Sequence, residues 1–228
     1  MPDETQAQTL AALARELNDE NDVESVLRRT VAAAAAEVPG AEYAGITVVT
    51  RRELATPVAS DDLVLKVDQG QYETGQGPCL EAAVEREFVV RVDDLASDER
   101  YPAFGQHAVQ LGIHSMLSFY LFTQAGTIGA LNLYASEPRA FDQAAEDIGA
   151  LLAAHAAVAV ASTRKEANLV AALSNRDVIG QAKGILMERY KINADRAFDL
   201  LVAASQRTHR KLTDVAGQLA ETGELAGS

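Results

Sequence analysis

The stretch NRDVIGQAKGILMERY, residues 175–190, combines two glycines and several cations in one helical pattern. One face of this helix is apolar and is expected to point to a core: Ile179, Ala182, Ile185 and Leu186. The opposite face holds Arg176, Gly180, Lys183, Gly184 and Met187. Each glycine costs a helix interior about 1 kcal/mol relative to alanine. Either the glycines let two helices pack closely, or they let a nucleobase approach the backbone while the cations bind phosphates. Residue types alone slightly favour close packing.

Charge is distributed unevenly along the chain. The net charge is −13, yet residues 164–211 contain ten Lys or Arg against five Asp or Glu. This segment is therefore net +5, and the rest of the chain carries −18. Because a basic C-terminal region follows a strongly acidic N-terminal region, the overall charge does not exclude an anionic partner for the C-terminal region.

Other residues that could carry chemistry are few. The single cysteine, Cys79, excludes an internal disulfide and a multi-cysteine zinc site, and we interpret it as a partly buried small apolar residue rather than a redox, haem or bilin contact. The four histidines lack metal-ligand spacing, and the acidic segment 93–99 is interpreted as a solvated loop. Neither a Walker glycine loop nor a Gly-x-Ser-x-Gly motif occurs. We expect no catalytic residue, no metal, no cofactor and no enzyme activity.

The N-terminal region mixes helical and strand patterns. Helices are predicted over residues 9–20 and 22–38, the second ending at Pro39-Gly40. Short segments rich in β-branched residues predict strands at 41–50, 61–69 and 87–95, and a hairpin over 115–136 that turns near Gly126. A short helix is expected after the Gly-Pro turn within 75–87. This order predicts an α+β fold, an antiparallel sheet with flanking helices, up to about Phe141.

A long helix follows from residue 142. Its apolar and small residues recur at helical spacing: Ile148, Leu151, Leu152, Val158, Ala159, Leu169, Val170 and Leu173. A helix this long cannot bury the whole stripe against its own chain, so we expect it to pair with the same helix of a second copy in a coiled coil. The N-terminus lacks a signal-peptide pattern and no run reaches ~18 uninterrupted apolar residues, so we expect a cytoplasmic protein with no membrane span.

The last region predicts three short helices, over residues 175–190, 193–210 and 212–223. Asn193 is a good N-cap for the second helix, and Asp195 complements its positive end. Such a small helical unit has room for only a small core.

The segment NRDVIGQAKGILMERYKINADRAFDLLVAASQRTHRKLTDVAGQL closely resembles the ANTAR domain of bacterial transcription antitermination regulators. The resemblance spans IGQAKGILM, ADRAFDLLVAAS and KLTDVA at the family's spacings. It implies a dimer that binds paired RNA hairpins with short loops, so that a terminator cannot form. It also implies these RNA-contacting positions: Arg176, Gln181, Ala182, Lys183, Gly184, Ala197, Ser205, Arg207, Arg210 and Lys211. Thr208 or His209 stands where many relatives carry asparagine.

Residues 8–140 resemble a GAF domain, through YETGQGPCLEAAVEREFVVRVDDLASDERYPAF, LGIHSMLSFYLF and TIGALNLYASEPRAF in that order. GAF domains sense small molecules or proteins, and the sequence leaves the ligand open. Reductases of methionine sulfoxide with this fold use several cysteines, whereas this chain has one. The expected organisation is a GAF-like domain at 8–140, a dimerisation helix at 141–173 and an ANTAR domain at 174–225.

These patterns predict a transcription antitermination regulator in which a GAF-like domain controls a dimeric RNA-binding domain. Two other functions stay open at this point. Three short basic helices are also compatible with a helix-turn-helix DNA-binding regulator, although none carries a run of base-reading polar side chains. A protein-binding signalling module that acts by exchange of dimer partners is the other alternative.

Overall fold

The computed structural model describes residues 4–50 and 54–226. Two helices come first, α1 (Glu4–Asn18) and α2 (Val23–Glu37). The Asp22 carboxylate caps α2 by accepting a hydrogen bond from the backbone N–H of Ser25 at 2.9 Å. Both predicted N-terminal helices are confirmed, and α2 ends just before Pro39-Gly40.

The centre of the fold is a five-stranded antiparallel sheet in the order β2-β1-β5-β4-β3. Its strands are β1 (Tyr43–Val49), β2 (Leu54–Ala59), β3 (Val89–Val92), β4 (Ser115–Thr123) and β5 (Gly126–Ala135). The hairpin between β4 and β5 is confirmed. Gly126 sits at its turn with φ +122°, a conformation that favours glycine. The predicted α+β class is therefore confirmed.

Between β2 and β4 lie α3 (Asp62–Thr74), α4 (Pro78–Leu80), a π-helical turn (Glu81–Glu85) and α5 (Pro102–Gln110). The strand predicted at 61–69 is wrong, because these residues form most of α3. The Asp61 carboxylate accepts a hydrogen bond from the Leu63 N–H at 2.8 Å, and Gly75 ends the helix in the left-handed region. Buried positions 64, 67, 68 and 71 follow helical spacing rather than alternation.

The two faces of the sheet carry different helices. Phe119 and Leu131 lie on the face that packs against α1 and α2. Met116 and Tyr134 lie on the opposite face, against α3 and α5. The result is a three-layer arrangement with a core on each side of the sheet.

After β5 the chain forms α6 (Gln143–Tyr190), a single helix of 48 residues. Ile148 and Leu152, in its first part, join the core on the α1 and α2 side of the sheet. By length and composition alone α6 could cross a membrane, but half of the apolar window in question is buried inside the protein, as in the core helix of a soluble protein.

The chain divides into two compact units between Arg164 and Lys165. We call the unit up to Arg164 the body and the unit from Lys165 the module. α6 continues across this division, and the predicted domain boundary at 173/174 falls inside the helix. That boundary stays a prediction.

The module contains the last part of α6, then α7 (Ala194–Thr208) and α8 (Leu212–Thr222). The Asn193 side chain accepts a hydrogen bond from the Arg196 N–H at 2.9 Å, which confirms the predicted cap. The core is small and alanine-rich, formed by Ala182, Leu186, Ala197, Leu201, Ala204, Val215, Ala216, Leu219 and Ala226. Small residues let the three helices approach closely enough to exclude water.

Candidate nucleic-acid interface

A surface groove runs between α6 and α7 in the module. It has a volume of about 920 Å³ and is lined by Ala172, Asn175, Arg176, Asp177, Ile179, Gly180, Gln181, Lys183 and Phe198. We call it the α6–α7 groove. It exists because Ala182 and Leu186 turn the apolar face of α6 into the core, which leaves the neighbouring positions at the surface. Four of the ten predicted RNA-contacting residues therefore lie beside or within this groove: Arg176, Gln181, Lys183 and, next to them on α6, the exposed Gly184.

The cations of this surface are free to bind an anion. Within the described residues, Arg176 and Lys183 form no ion pair, whereas Lys191 and Arg196 on the same module pair with Glu188 and Asp199. The ammonium of Lys183 lies 5.9 Å from the centre of the Phe198 ring. A cation that has no carboxylate partner breaks no ion pair when it binds a phosphate oxygen, so these two side chains suit a polyanion.

The two glycines of α6 face open space. A Cβ atom added to Gly180 or Gly184 would meet no heavy atom within 4 Å outside its own helix turn. By contrast, a Cβ atom on Gly149, also in α6, would lie 2.3 Å from the Phe119 ring. Close packing within the chain therefore does not require glycine at 180 or 184. What the two residues supply is bare backbone at the surface.

Ala182 and Ala197 do not belong to this surface. Both are fully buried in the module core, facing each other's helices. The prediction that their side chains contact RNA is corrected on this point, because a buried methyl group cannot reach a ligand without unfolding the core. Their role is to set how closely α6 and α7 approach.

The remaining predicted residues cluster at the corner between α7 and α8. The Ser205 hydroxyl donates to the carbonyl of Arg210 at 2.6 Å, so it fixes the turn. His209 ends α7 with φ +52°, in the left-handed region where asparagine is well tolerated. Arg207 and Lys211 are exposed and, among the described residues, form no ion pair.

Arg210 points elsewhere. Its guanidinium donates to the amide oxygen of Gln218 on α8 and lines a separate groove between α6 and α8 with Asn175, Val178 and Thr213. The structure thus distributes the surviving predicted residues between the α6–α7 groove and the α7–α8 corner rather than gathering them into one site.

Phe198 is the groove residue that the sequence did not single out. It lies one position after the buried Ala197, and 39% of its surface is exposed. An aromatic residue beside, rather than within, the apolar spacing of α7 was the available signal. By residue type and spacing alone, this position is equivalent to one at the edge of a helical core.

The body contains a buried polar cluster centred on Asp68. Its carboxylate accepts hydrogen bonds from the hydroxyls of Thr56 and Tyr134, each at 2.6 Å, and from the Gln71 amide at 2.8 Å. Burial raises the pKa of Asp68 to about 6, and these hydrogen bonds oppose part of that rise. Residues from α3, β2 and β5 meet here, so no local pattern in the sequence could have revealed the cluster.

Cys79 is completely buried beside this cluster. Its thiol donates to the Thr47 hydroxyl at 3.0 Å, and burial raises its pKa to about 12. A thiol is a poor nucleophile and metal ligand until it ionises. The interpretation of Cys79 as a buried small residue is confirmed. Among the described residues, no group of three or more His, Cys, Asp or Glu is placed to hold a metal ion.

A three-layer body with a five-stranded antiparallel sheet, joined by one long helix to a three-helix module, is a two-domain architecture. Family models agree: a GAF domain matches residues 20–161 and an ANTAR domain matches residues 167–219. The chain belongs to the GAF-domain family, as a regulator in which a GAF domain is followed by an ANTAR domain. This confirms both resemblances seen in the sequence, and proteins with these two domains are typically regulatory.

Solved structures share the fold of the body. The GAF domain of a phosphoenolpyruvate-protein phosphotransferase from Coxiella burnetii is 20% identical, with a TM-score of 0.56 over 72% of this chain and 96% of that chain. A free methionine-R-sulfoxide reductase from Neisseria meningitidis, in complex with its substrate, is 19% identical. Its TM-score is 0.55 over 73% of this chain and 96% of that chain. A GAF domain from an Acinetobacter phosphoenolpyruvate-protein phosphotransferase is 17% identical, with a TM-score of 0.53 over 73% of this chain and 99% of that chain. No curated protein matches the sequence.

Proposed function

We propose that this chain is an RNA-binding transcription antitermination regulator. In this proposal the GAF domain controls a dimeric ANTAR domain, which binds paired RNA hairpins and prevents a terminator from forming. The observation that carries the proposal is the α6–α7 groove, where unpaired cations border a stretch of bare helical backbone. A solvent-exposed helix retains glycine, at about 1 kcal/mol per residue, when something outside the helix needs the space.

RNA loops suit this surface better than a duplex. Bases in a short loop are unstacked, so they can enter a groove and meet side-chain donors and backbone while cations hold the neighbouring phosphates. In the proposed complex Arg176 and Lys183 bind phosphates and the Gln181 amide bonds a base edge. Arg207 and Lys211 hold a further stretch of backbone at the α7–α8 corner.

The dimer is proposed from the exposed apolar residues of α6. In the body, Leu151 and Val158 face solvent; in the module, Leu169, Val170 and Leu173 do so. Large apolar side chains along an exposed helix face mark an interaction surface, and a second copy of the same helix is a self-complementary partner. A dimer would also present two grooves, one for each hairpin of a pair.

Control by the body follows if ligand or partner binding changes how α6 packs. The helix contributes Ile148 and Leu152 to the body core and Ala182 and Leu186 to the module core. A signal that changes the register or population of paired α6 helices by a few kcal/mol is enough to switch RNA binding. The ligand that supplies the signal stays open.

The direct test is an electrophoretic mobility shift with RNA that carries two tandem hairpins. Lys183→Ala and Arg176→Ala should each weaken binding and flatten the slope of log affinity against log salt by about 1. The matched control is Lys66→Ala, an exposed lysine of the body, which should leave both quantities unchanged.

Each contrary result has a distinct meaning. If Lys183→Ala and the wild type bind RNA equally well, the α6–α7 groove is not part of the RNA-binding site. Preference for duplex DNA over hairpin RNA would favour the helix-turn-helix alternative. No RNA affinity, with partner binding retained after neutralising Lys183, Arg210 and Lys211, would favour a protein-binding module.

A further inference from the structure

Phe198 is an aromatic side chain in the α6–α7 groove that the module core does not use. Its neighbour Ala197 fills the core, whereas Phe198 stays outside the buried cluster with 39% of its surface exposed. A phenyl ring left partly in water beside cations offers a flat apolar surface on which another flat group can stack. The groove therefore contains an apolar surface within a charged surround.

Part of this ring is exposed where it lines the groove. The contact made there is with the Lys183 ammonium, at 5.9 Å from the ring centre, near the outer limit of a cation–π interaction. Gly180, which lines the same groove, presents no side chain, and a Cβ atom added there would touch nothing. A flat molecule that displaces the Lys183 ammonium therefore meets no side chain at position 180 as it reaches the ring.

We propose that Phe198 is the stacking platform for one unstacked base of the RNA loop. This inference rests on the proposed RNA-binding function and names the feature of the RNA that the groove recognises. The occupant is argued from charge: an apolar flat group that arrives with a phosphate on either side matches an aromatic ring beside Arg176 and Lys183, two cations that outnumber the single carboxylate lining the groove, Asp177. An apolar side chain of a protein would leave Arg176 and Lys183 without partners.

The relative strengths of the two contacts determine whether the Lys183 ammonium or a base occupies the Phe198 ring. An exposed cation–π contact contributes about a 2- to 5-fold effect on an equilibrium, whereas stacking of a base on an aromatic side chain contributes about 5- to 150-fold. The base therefore displaces the Lys183 ammonium from the ring. Lys183 is then free to bind the phosphate next to the stacked base, so the two residues act on one nucleotide.

The experiment combines protein variants with modified RNA. Tandem-hairpin RNAs that carry an abasic site at each loop position in turn are titrated with the full chain and with Phe198→Ala, Phe198→Leu and Phe198→Tyr. We expect Phe198→Ala and Phe198→Leu to lose about 5- to 150-fold in affinity and Phe198→Tyr to keep it. The salt slope should stay that of wild type, because no phosphate contact is removed. Phe88→Ala, at an aromatic residue of the body with 53% exposure, is the matched control.

One abasic position should weaken wild-type binding yet cost nothing further in Phe198→Ala, because both changes remove the same contact. Wild-type affinity in Phe198→Leu, or additive losses at every loop position, overturns the stacking inference while RNA binding itself stands. Absence of RNA binding by the wild-type chain overturns the proposed function instead. Phe198→Leu keeps a side chain of similar bulk, so it decides the question even where Phe198→Ala fails to fold.

Discussion

Replacing Gly180 with alanine separates the two interpretations of the glycines in α6. The added methyl group meets no heavy atom within 4 Å, so it introduces no clash in this chain. Removing the entropic cost of glycine from a helix interior is worth about 1 kcal/mol, and replacing Gly184 as well should bring the gain to about 2 kcal/mol. We therefore expect Gly180→Ala to stabilise the module and, at the same time, to weaken RNA binding by occupying the groove wall.

Hydrogen exchange read by mass spectrometry on peptides from residues 175–190 reports the stability of this helix directly. A gain of about 1 kcal/mol corresponds to roughly fivefold slower exchange where closing is faster than exchange from the open state. RNA affinity is measured on the same sample by mobility shift. The matched control is Gly149→Ala in the same helix, which should destabilise the body, because its Cβ atom would lie 2.3 Å from the Phe119 ring.

Faster exchange in Gly180→Ala would refute this reasoning. It would mean that a neighbour occupies the space above the glycine, and the partner helix of a dimer would be the first candidate. Slower exchange with unchanged RNA affinity would show that Gly180 does not contribute to RNA binding and only destabilises the helix.

Three further predictions concern the body. The pKa of Asp68 is raised, so between about pH 4 and pH 6 the folded state retains a proton that the unfolded chain has released. The free energy of unfolding should therefore fall by about 3 kcal/mol as pH rises from about 4 to above 6. Urea titrations across that range should show this pH dependence in the wild type and not in Asp68→Asn. Cys79 should resist a bulky thiol reagent at pH 8 until urea unfolds the body, and labelling at the native rate of a free thiol would contradict its burial. Leu152→Ala removes a buried side chain and should destabilise the body by about 2–5 kcal/mol. The neighbouring Leu151 is 43% exposed, so Leu151→Ala should leave monomer stability nearly unchanged but weaken self-association in analytical ultracentrifugation.

The predictions that held rest on signals that act over a few residues. Asn193 caps α7, Gly126 turns the β4–β5 hairpin, and Pro39-Gly40 follows the end of α2, all as expected. Each of these signals acts locally: a cap accepts a hydrogen bond from a backbone N–H three residues away, and a turn or helix end depends on the dihedral angles that one or two residues allow. The ANTAR motif is likewise contiguous, so residue types and spacing were enough to identify it.

Segment 61–69 shows where local patterns are insufficient. Its β-branched residues predicted a strand, but Asp61 and Gly75 supply the caps of a helix, and packing against the sheet selects the buried set at 64, 67 and 71. Intrinsic preferences of this size are small compared with the burial of one helix face. The tertiary context therefore decided the element.

The sequence alone determined that a GAF-type domain precedes a helical segment, 164–211, that is net basic and contains two glycines on one helix face. The residue pattern placed Ala182 both on the apolar face of its helix and among the RNA-contacting positions, and only the tertiary structure decided that Ala182 and Ala197 lie in the core while Phe198 lines the groove. It also assembled the Asp68 cluster, in which Tyr134 lies 66 positions away along the chain. The physical reason is that spacing defines the faces of one element, whereas a site depends on which faces of separate elements are packed together.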